Sequence, residues 1–391
     1  MGVRMLCPIK ISFSARLSAL YAAFFIVSGI SQPFLPVWLK AKGLDAATIG
    51  LVLAAPMLLR VFSIPMATRT ADRRDAVRAG IVVAACLAVA GYTLMGVAEG
   101  ASFILLAYAF ASLGFTPLLP LVETYAFKGL AARGKAYGPV RLWGSATFIV
   151  GNLIAGVAAD LISARHIIWM IVIASVGTAL ASFALQPVSV AAPVTSEPQP
   201  ARRLLRDPIF LAVLAAASLI QGSHAMFYGF TGMAWRDAGL DGTTIAMLWG
   251  LGVAAEIVLF ALAGRLPPLL QVPGILMMVG ASAAALRWVG MAMDPPFWAL
   301  PWLQMLHALS FGATHLGTFG FVSHYAPPGH GARAQGYLAI AMGLAMACAM
   351  AMSGVLFEKF GSFAFMAMAL AAVAGGVCAL VPYRARAVAP L

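Results

Sequence analysis

Gly43-Leu44-Asp45-Ala46-Ala47-Thr48-Ile49 opens a long apolar run, and Gly239-Leu240-Asp241-Gly242-Thr243-Thr244-Ile245 opens another. Glycine, leucine, aspartate, threonine and isoleucine recur in the same order, displaced by 196 residues in a chain of 391. A weaker echo places Arg133 and Tyr137 against Arg333 and Tyr337, displaced by 200. A repeat of half the chain, falling at equivalent points between apolar runs, is the pattern of parallel repeats in a transporter.

The runs fix the solvent. The composition is 62% hydrophobic and 10% charged with a mean hydropathy of +0.94, more apolar surface than a water-soluble fold can hide. The runs are apolar all round and do not alternate with period two, which excludes an outer-membrane barrel. At about 20 residues per helical crossing, twelve crossings fit with short loops. Crossings are expected at 15–39, 46–68, 77–98, 101–127, 137–161, 166–186, 208–235, 243–264, 273–293, 297–325, 333–357 and 362–383. One longer polar stretch interrupts them, with Pro187, Pro193, Pro198 and Pro200 followed by Arg202, Arg203 and Arg206. The fold class is therefore all-α integral membrane: a six-helix bundle over 1–186, a cytoplasmic linker over 187–207 and a second, pseudo-symmetric six-helix bundle over 208–391.

A net charge of +12 would suggest a nucleic-acid partner if the basic residues formed one patch. They do not. With the N-terminus internal, seventeen of the 25 Lys and Arg fall on the cytoplasmic side, among them Arg16, Arg69, Arg73, Arg74, Arg78, Lys128, Arg133 and Lys135. The opposite loops hold Lys40, Lys42, Arg165, Arg236 and Lys359. The positive-inside rule then sets both termini in the cytoplasm of a multi-pass protein, expected in the bacterial inner membrane, with no nucleic-acid partner. Cys7, Cys86, Cys348 and Cys378 form no C-x-x-C pair and read as small core residues. No cleavage-site pattern follows the first apolar stretch, so it is expected to remain as a crossing.

Few ionisable side chains lie within the runs: Glu123, Glu256, Arg60, Arg141 and Arg287. Each costs about 2.5 to 3.5 kcal/mol at mid-membrane, so they must pair or face water. Glu123 with Arg141, and Glu256 with Arg287, are placed to pair, one couple in each half. A helix-locking salt bridge is the plainer reading of each, but the duplication favours a shared chamber. Arg141, Ser145, Phe148 and Asn152 follow spacings of four, three and four on one helical face. Gln221, His224 and Tyr228 form a similar face in the seventh crossing, opposite Ser28 and Gln32 of the first. His307 and His315 stand eight residues apart, more than two turns, a poor spacing for one metal. His315 reads as a packing residue. The Walker-like Gly129 to Lys135 has Ala136 where a hydroxyl is needed, and Gly250 to Ala255 lies inside an apolar helix, so neither marks a nucleotide site. No hydrolase or zinc-protease signature occurs, which argues against an enzyme.

The topology resembles the major facilitator superfamily. Tyr137-Gly138-Pro139-Val140-Arg141-Leu142-Trp143-Gly144-Ser145 resembles the fifth-helix signature of the phenylpropionic-acid permease group, relatives of lactose permease. That resemblance implies substrate contact by Glu123 and Arg141, which match the permease's glutamate and arginine eighteen residues apart. It implies proton coupling by Glu256, Arg287 and His307, the last two matching an arginine and histidine twenty residues apart. It also implies a conformational gating loop at Asp72 and Arg73. Three positions depart: Ser310 stands where the permease has a coupling carboxylate, Phe148 where it has a sugar-stacking indole, and Thr68 and Asp75 where its gating loop has glycines.

The resulting expectation is a secondary transporter, a proton symporter importing a small organic solute by alternating access, with an aromatic acid favoured by the resemblance. Substrate contacts are expected from Glu123, Arg141, Ser145, Phe148, Asn152, Gln32, His224 and Tyr228. Glu256 is the preferred proton carrier and His307 the reserve. No metal and no cofactor beyond the proton gradient is implied, and one chain holding both halves suffices as a monomer. A sugar or nucleoside importer, an exporter of amphipathic compounds and a non-transporting membrane sensor are the rival readings.

Overall fold

The computed structural model describes residues 12–188, 201–327 and 331–385. Among the described residues the regular structure is all helical. In chain order the α-helices are α1 (Phe13–Ala41), α2 (Ala46–Arg73), α3 (Val77–Val97), α4 (Ala101–Ala131), α5 (Gly138–Leu161), α6 (Ile167–Phe183) and α7 (Pro208–Gly222). They continue as α8 (Ala225–Asp237), α9 (Gly242–Leu262), α10 (Pro273–Ala292), α11 (Leu300–Met305), α12 (Thr314–Tyr325), α13 (Gly331–Phe360) and α14 (Phe365–Arg384). The protein is a multi-pass membrane protein: ten helical stretches among the described residues are long and apolar enough to cross a bilayer. The stretch Arg333–Arg384 takes in most of α13 and all of α14.

The repeated sequence forms a repeated turn. Gly43 and Gly239 take φ of 87° and 89°, a left-handed conformation that glycine adopts without a Cβ penalty. Asp45 Oδ1 then accepts the amide of Thr48 at 2.7 Å, and Asp241 Oδ1 that of Thr244 at 2.6 Å, so each aspartate caps the helix that follows.

In the first half α1 packs on α5 and α6, α3 on α4 and α6, and α2 on α4. In the second, α14 packs on α7 and α10, and α13 on α7. The halves meet where α2 lies against α13, α5 against α9 and α1 against α8. These cross-half contacts include Lys40 to Asp237 and Arg236 to Asp160, both 2.6 Å, at the end that carries the two repeated turns. That end is closed. Beside it Lys42 bonds Glu99, holding its carboxyl below the usual carboxylate value.

Burial is inverted relative to a soluble protein, with Phe62 74%, Ile173 71% and Leu161 79% exposed on the surface that hydrocarbon covers. Cys86 and Cys348 share that surface and Cys378 is half-buried, correcting the expectation that they fill the core; Cys7 lies outside the described residues. Arg60 is also exposed, on the face of α2 that approaches Gly343 of α13.

Two expected single crossings are interrupted. The seventh breaks between α7 and α8 because Ser223 Oγ and His224 Nδ1 both donate to the Ile220 carbonyl, competing with the helical ladder. The tenth divides into α11, a π-helical turn over Ala308–Ala313, and α12. Single π turns inside helices recur at functional sites, where the extra residue redirects neighbouring side chains.

Candidate functional site

A cavity of about 330 Å³ lies between the halves. Its first-half wall is Phe25 and Gln32 of α1 with Arg141, Ser145 and Phe148 of α5. Close approach of α1 to α5 aims that face: a Cβ on Gly29 would collide with the Phe148 carbonyl. The opposite wall holds Phe227, Tyr228, Trp249, Gly252, Val253, Glu256, Arg287, Gln304, His307 and Phe311. Eight of the sequence-derived candidates thus share one void: Gln32, Arg141, Ser145, Phe148, Tyr228, Glu256, Arg287 and His307.

Glu123 stands behind Arg141. Its Oε1 lies 3.4 Å from Arg141 Nε, and its Oε2 accepts a hydrogen bond from the Tyr137 hydroxyl. The contact is to the Nε side of the guanidinium, which lies 4.4 Å over the Phe25 ring. Neither Nη of Arg141 makes a hydrogen bond to a described residue, which leaves a planar two-donor fork at the cavity wall.

The second half differs from the expected copy. Among the described residues no ion pair joins Glu256 to Arg287, and His307 stands between them. His307 Nε2 is 3.5 Å from Glu256 Oε2, and Nδ1 is 3.1 Å from Arg287 Nη1. A guanidinium can only donate, so Nδ1 accepts and the ring proton sits on Nε2, facing Glu256. Arg287 Nη2 donates to Gln304 Oε1 at 2.6 Å. Arg287 is fully buried, with its guanidinium 4.3 Å from the Phe227 ring and 4.8 Å from that of Trp288. The direct pair fails because the π turn and α11 bring His307 and Gln304 to the guanidinium first.

Besides Glu123, two further substrate-contact candidates do not line the cavity. Asn152, fully buried, donates from Nδ2 to the Ala246 carbonyl at 2.7 Å and so joins α5 to α9 across the halves. His224, also fully buried, has Nδ1 on the Ile220 carbonyl and Nε2 3.1 Å from Ser310 Oγ. It supports the π turn from behind, with its ring 5.8 Å from that of His307. Ser28 likewise turns inward, onto the Phe24 carbonyl. His315 is half-buried and stacks among Phe311 and Phe319. Arg73 ends α2 at an exposed position, and the side chain of Asp72 lies outside the described residues.

Sequence reasoning missed Gln304, the cavity aromatics Phe25, Phe227, Trp249 and Phe311, and Gly252 and Val253 between them. Gln304 sits three residues before His307, on the same helical face, and that spacing could have found it. Phe227, Trp249 and Phe311 carry no signal that separates them from the many other aromatics of the chain.

Together these features define a helical membrane transporter with a central binding chamber, and not an enzyme. The chain belongs to the MFS_1 like family, whose model matches residues 14–368. It is 33% identical over 369 residues to the probable 3-phenylpropionic acid transporter of Escherichia coli (strain K12), covering 90% of this chain and 93% of the relative. It is 27% identical over 300 residues to the maltose permease of Geobacillus stearothermophilus, covering 75% and 74%. A mutant of the nucleoside transporter NupG shares the fold, with a TM-score of 0.82 at 17% identity over 94% of this chain and 98% of that one. A bacterial homologue of the lysosomal transporter Spinster, in an inward-facing and occupied conformation, gives a TM-score of 0.72 at 14% identity, covering 98% of both chains.

Proposed function

We propose that the protein is a proton-linked importer of a small aromatic acid, working by rocking of two six-helix bundles, 1–186 and 208–391, about the central cavity. The single observation that carries this is the cavity itself, where the free Nη edge of Arg141 faces aromatic walls and the Glu256 carboxylate. A guanidinium fork suits a carboxylate, and Phe25, Phe148, Phe227 and Trp249 suit an apolar ring. The 3-phenylpropionic acid named for the Escherichia coli relative has both parts.

Glu256 is the proton carrier in this reading. His307 is less suited, because protonating Nδ1 would set an N–H against the Arg287 guanidinium. Its Nε2–H instead points at Glu256 Oε2, a contact that substrate or conformation can alter. Asp72 and Arg73 belong to the gating loop. Twelve crossings, counting α7 with α8 as one and α11 with α12 as one, place both termini in the cytoplasm of a bacterial inner membrane, by the charge distribution. The closed end then faces outward, and the chamber is in its inward-facing state. One chain holds both walls, so the monomer is the transporting unit.

Counterflow in proteoliposomes tests the substrate class. External phenylpropionate should drive exchange of labelled phenylpropionate, and a neutral amide of the same shape, maltose or a nucleoside should not. Exchange driven equally by a sugar or nucleoside would refute the acid reading.

A further inference from the structure

Arg60 is an ionisable side chain within a crossing that the central cavity does not use. It makes no ion pair or hydrogen bond with a described residue. It is exposed, yet it does not share the surface that hydrocarbon covers. At 3.6 residues per turn it lies about 160° round α2 from both Leu58 and Phe62, which are exposed to lipid. It lies only about 20° from Leu53, whose Cδ1 would be 3.5 Å from a Cβ on Gly229 of α8, so this face of α2 points at the other half. Arg60 therefore looks into the space between the halves.

That space widens away from the closed end. Gly354, Gly343 and Gly336 stand eleven and seven residues apart, which keeps them on one face of α13. A Cβ at Gly354 would lie 2.5 Å from the Ala46 carbonyl oxygen, one at Gly343 would lie 3.8 Å from Arg60 Cδ, and one at Gly336 would meet nothing within 4 Å. Arg60 stands where the crevice between α2 and α13 opens. The repeat adds an independent relation, because the displacement of 196 residues that carries Gly43 to Gly239 and Asp45 to Asp241 also carries Arg60 to Glu256. Arg60 is the fifteenth residue of α2, as Glu256 is of α9. Glu256 lines the cavity. Its counterpart holds the equivalent place on the α2–α13 flank with the opposite charge.

We propose that Arg60 is a second, weaker carboxylate subsite, which takes the substrate anion on the α2–α13 flank of the inward-facing chamber. An unpaired guanidinium at this depth is costly unless water or an anion meets it, and a carboxylate matches its planar donors two at a time. The subsite is the weaker of the two because Arg141 is clamped by Glu123 at its Nε and by the Phe25 ring, whereas Arg60 must give up the freedom of its stem to bind. This inference rests on the acid reading of the central cavity.

Equilibrium binding of labelled phenylpropionate to the purified full-length protein in detergent tests it. Wild-type protein should bind in two phases. Arg60→Gln should raise the half-saturating concentration of the weaker phase about fivefold, the upper scale for a water-exposed ion pair, and move the tighter phase by less than about twofold. Arg60→Lys, which keeps the charge, should shift the weaker phase less than Arg60→Gln does. Arg141→Gln should do the converse, weakening the tighter phase and sparing the weaker. Both phases unchanged in Arg60→Gln, or a single wild-type phase that depends on Arg141 alone, would overturn the subsite and leave the acid reading intact. A weaker phase that shifts with Arg60→Gln, beside a tighter phase indifferent to Arg141→Gln, would uphold the subsite and remove Arg141 as the main anchor. No binding to the wild-type protein would sink both. Should Arg60→Gln fail to purify as a monodisperse protein, Arg60→Met decides by the same shift.

Discussion

Arg287 is a guanidinium buried without a carboxylate, and that condition has a measurable consequence. Its donors are met by Gln304 Oε1, His307 Nδ1 and two aromatic faces, while its Nε and the Nε2 of Gln304 have no partner among the described residues. Gln304→Leu removes the 2.6 Å bond, whose loss to a charged group costs about 1.5 to 3 kcal/mol. It also removes an unpaired buried amide, which offsets roughly 1 kcal/mol. The net expectation is a loss of about 0.5 to 2 kcal/mol. Arg287→Met discards the buried charge but leaves Gln304 Oε1 and His307 Nδ1 without their donor, so the two effects should nearly cancel, to within about 2 kcal/mol of zero. In the double variant the Leu has no guanidinium to strand, so the cycle should close with a coupling of about 1 to 3 kcal/mol. Denaturant unfolding of purified protein in detergent reads all four states, and counterflow reads whether Arg287→Met still transports, which it should not. An Arg287→Met variant destabilised by several kcal/mol, or a cycle with no coupling, would refute the account of Arg287 as an isolated charge held by Gln304.

Other expectations follow from single contacts. Gly156→Val forces backbone against backbone at the α5–α9 seam and should raise reactivity of a cavity cysteine to an outward-added thiol reagent, since overpacking costs about 1 to 3 kcal/mol and opening relieves it. Asn152→Ala should weaken closure in the same assay yet leave the substrate's apparent affinity in counterflow within about twofold, because Asn152 bonds Ala246 and not the cavity. Tyr137→Phe should raise the concentration of acid needed for half-maximal counterflow with little change in maximal rate, by freeing Glu123 to compete for the Arg141 fork. Asp207 caps α7 and accepts the Tyr325 hydroxyl at 2.7 Å. Burial pushes its carboxyl upward, but the bonds from Tyr325 and the Phe210 and Ile209 amides outweigh that and hold it below the usual value. A depressed folded value contributes stability that is present above the unfolded pKa of about 3.9 and lost as pH falls through the folded one. The destabilisation caused by Asp207→Ala, about 1 kcal/mol, should therefore be constant above pH ~5 and shrink below pH ~4 in thermal unfolding.

The bilayer made much of the fold legible. Apolar runs of fixed length, basic loops and the Gly43 and Gly239 repeat are one-dimensional signals that lipid imposes on any helical span. The buried charges were legible for the same reason: Arg141, Glu256 and Arg287 are too costly to sit in hydrocarbon without a wet or paired environment. What stayed hidden depends on side-chain bonds between helices far apart in sequence. Spacing put Glu256 and Arg287 at one depth, but only the π turn after His307 decides that the histidine comes between them. Asn152 follows the same helical face as Arg141, yet one more turn carries it past the cavity into the α5–α9 seam.

The central claim is that one chamber takes both the acid, at Arg141, and the proton, at Glu256. Proteoliposomes carrying Glu256→Gln, given an inward proton gradient and labelled phenylpropionate, test it most directly. The account predicts that uphill accumulation is lost while counterflow exchange continues. Accumulation retained at the wild-type level would contradict it.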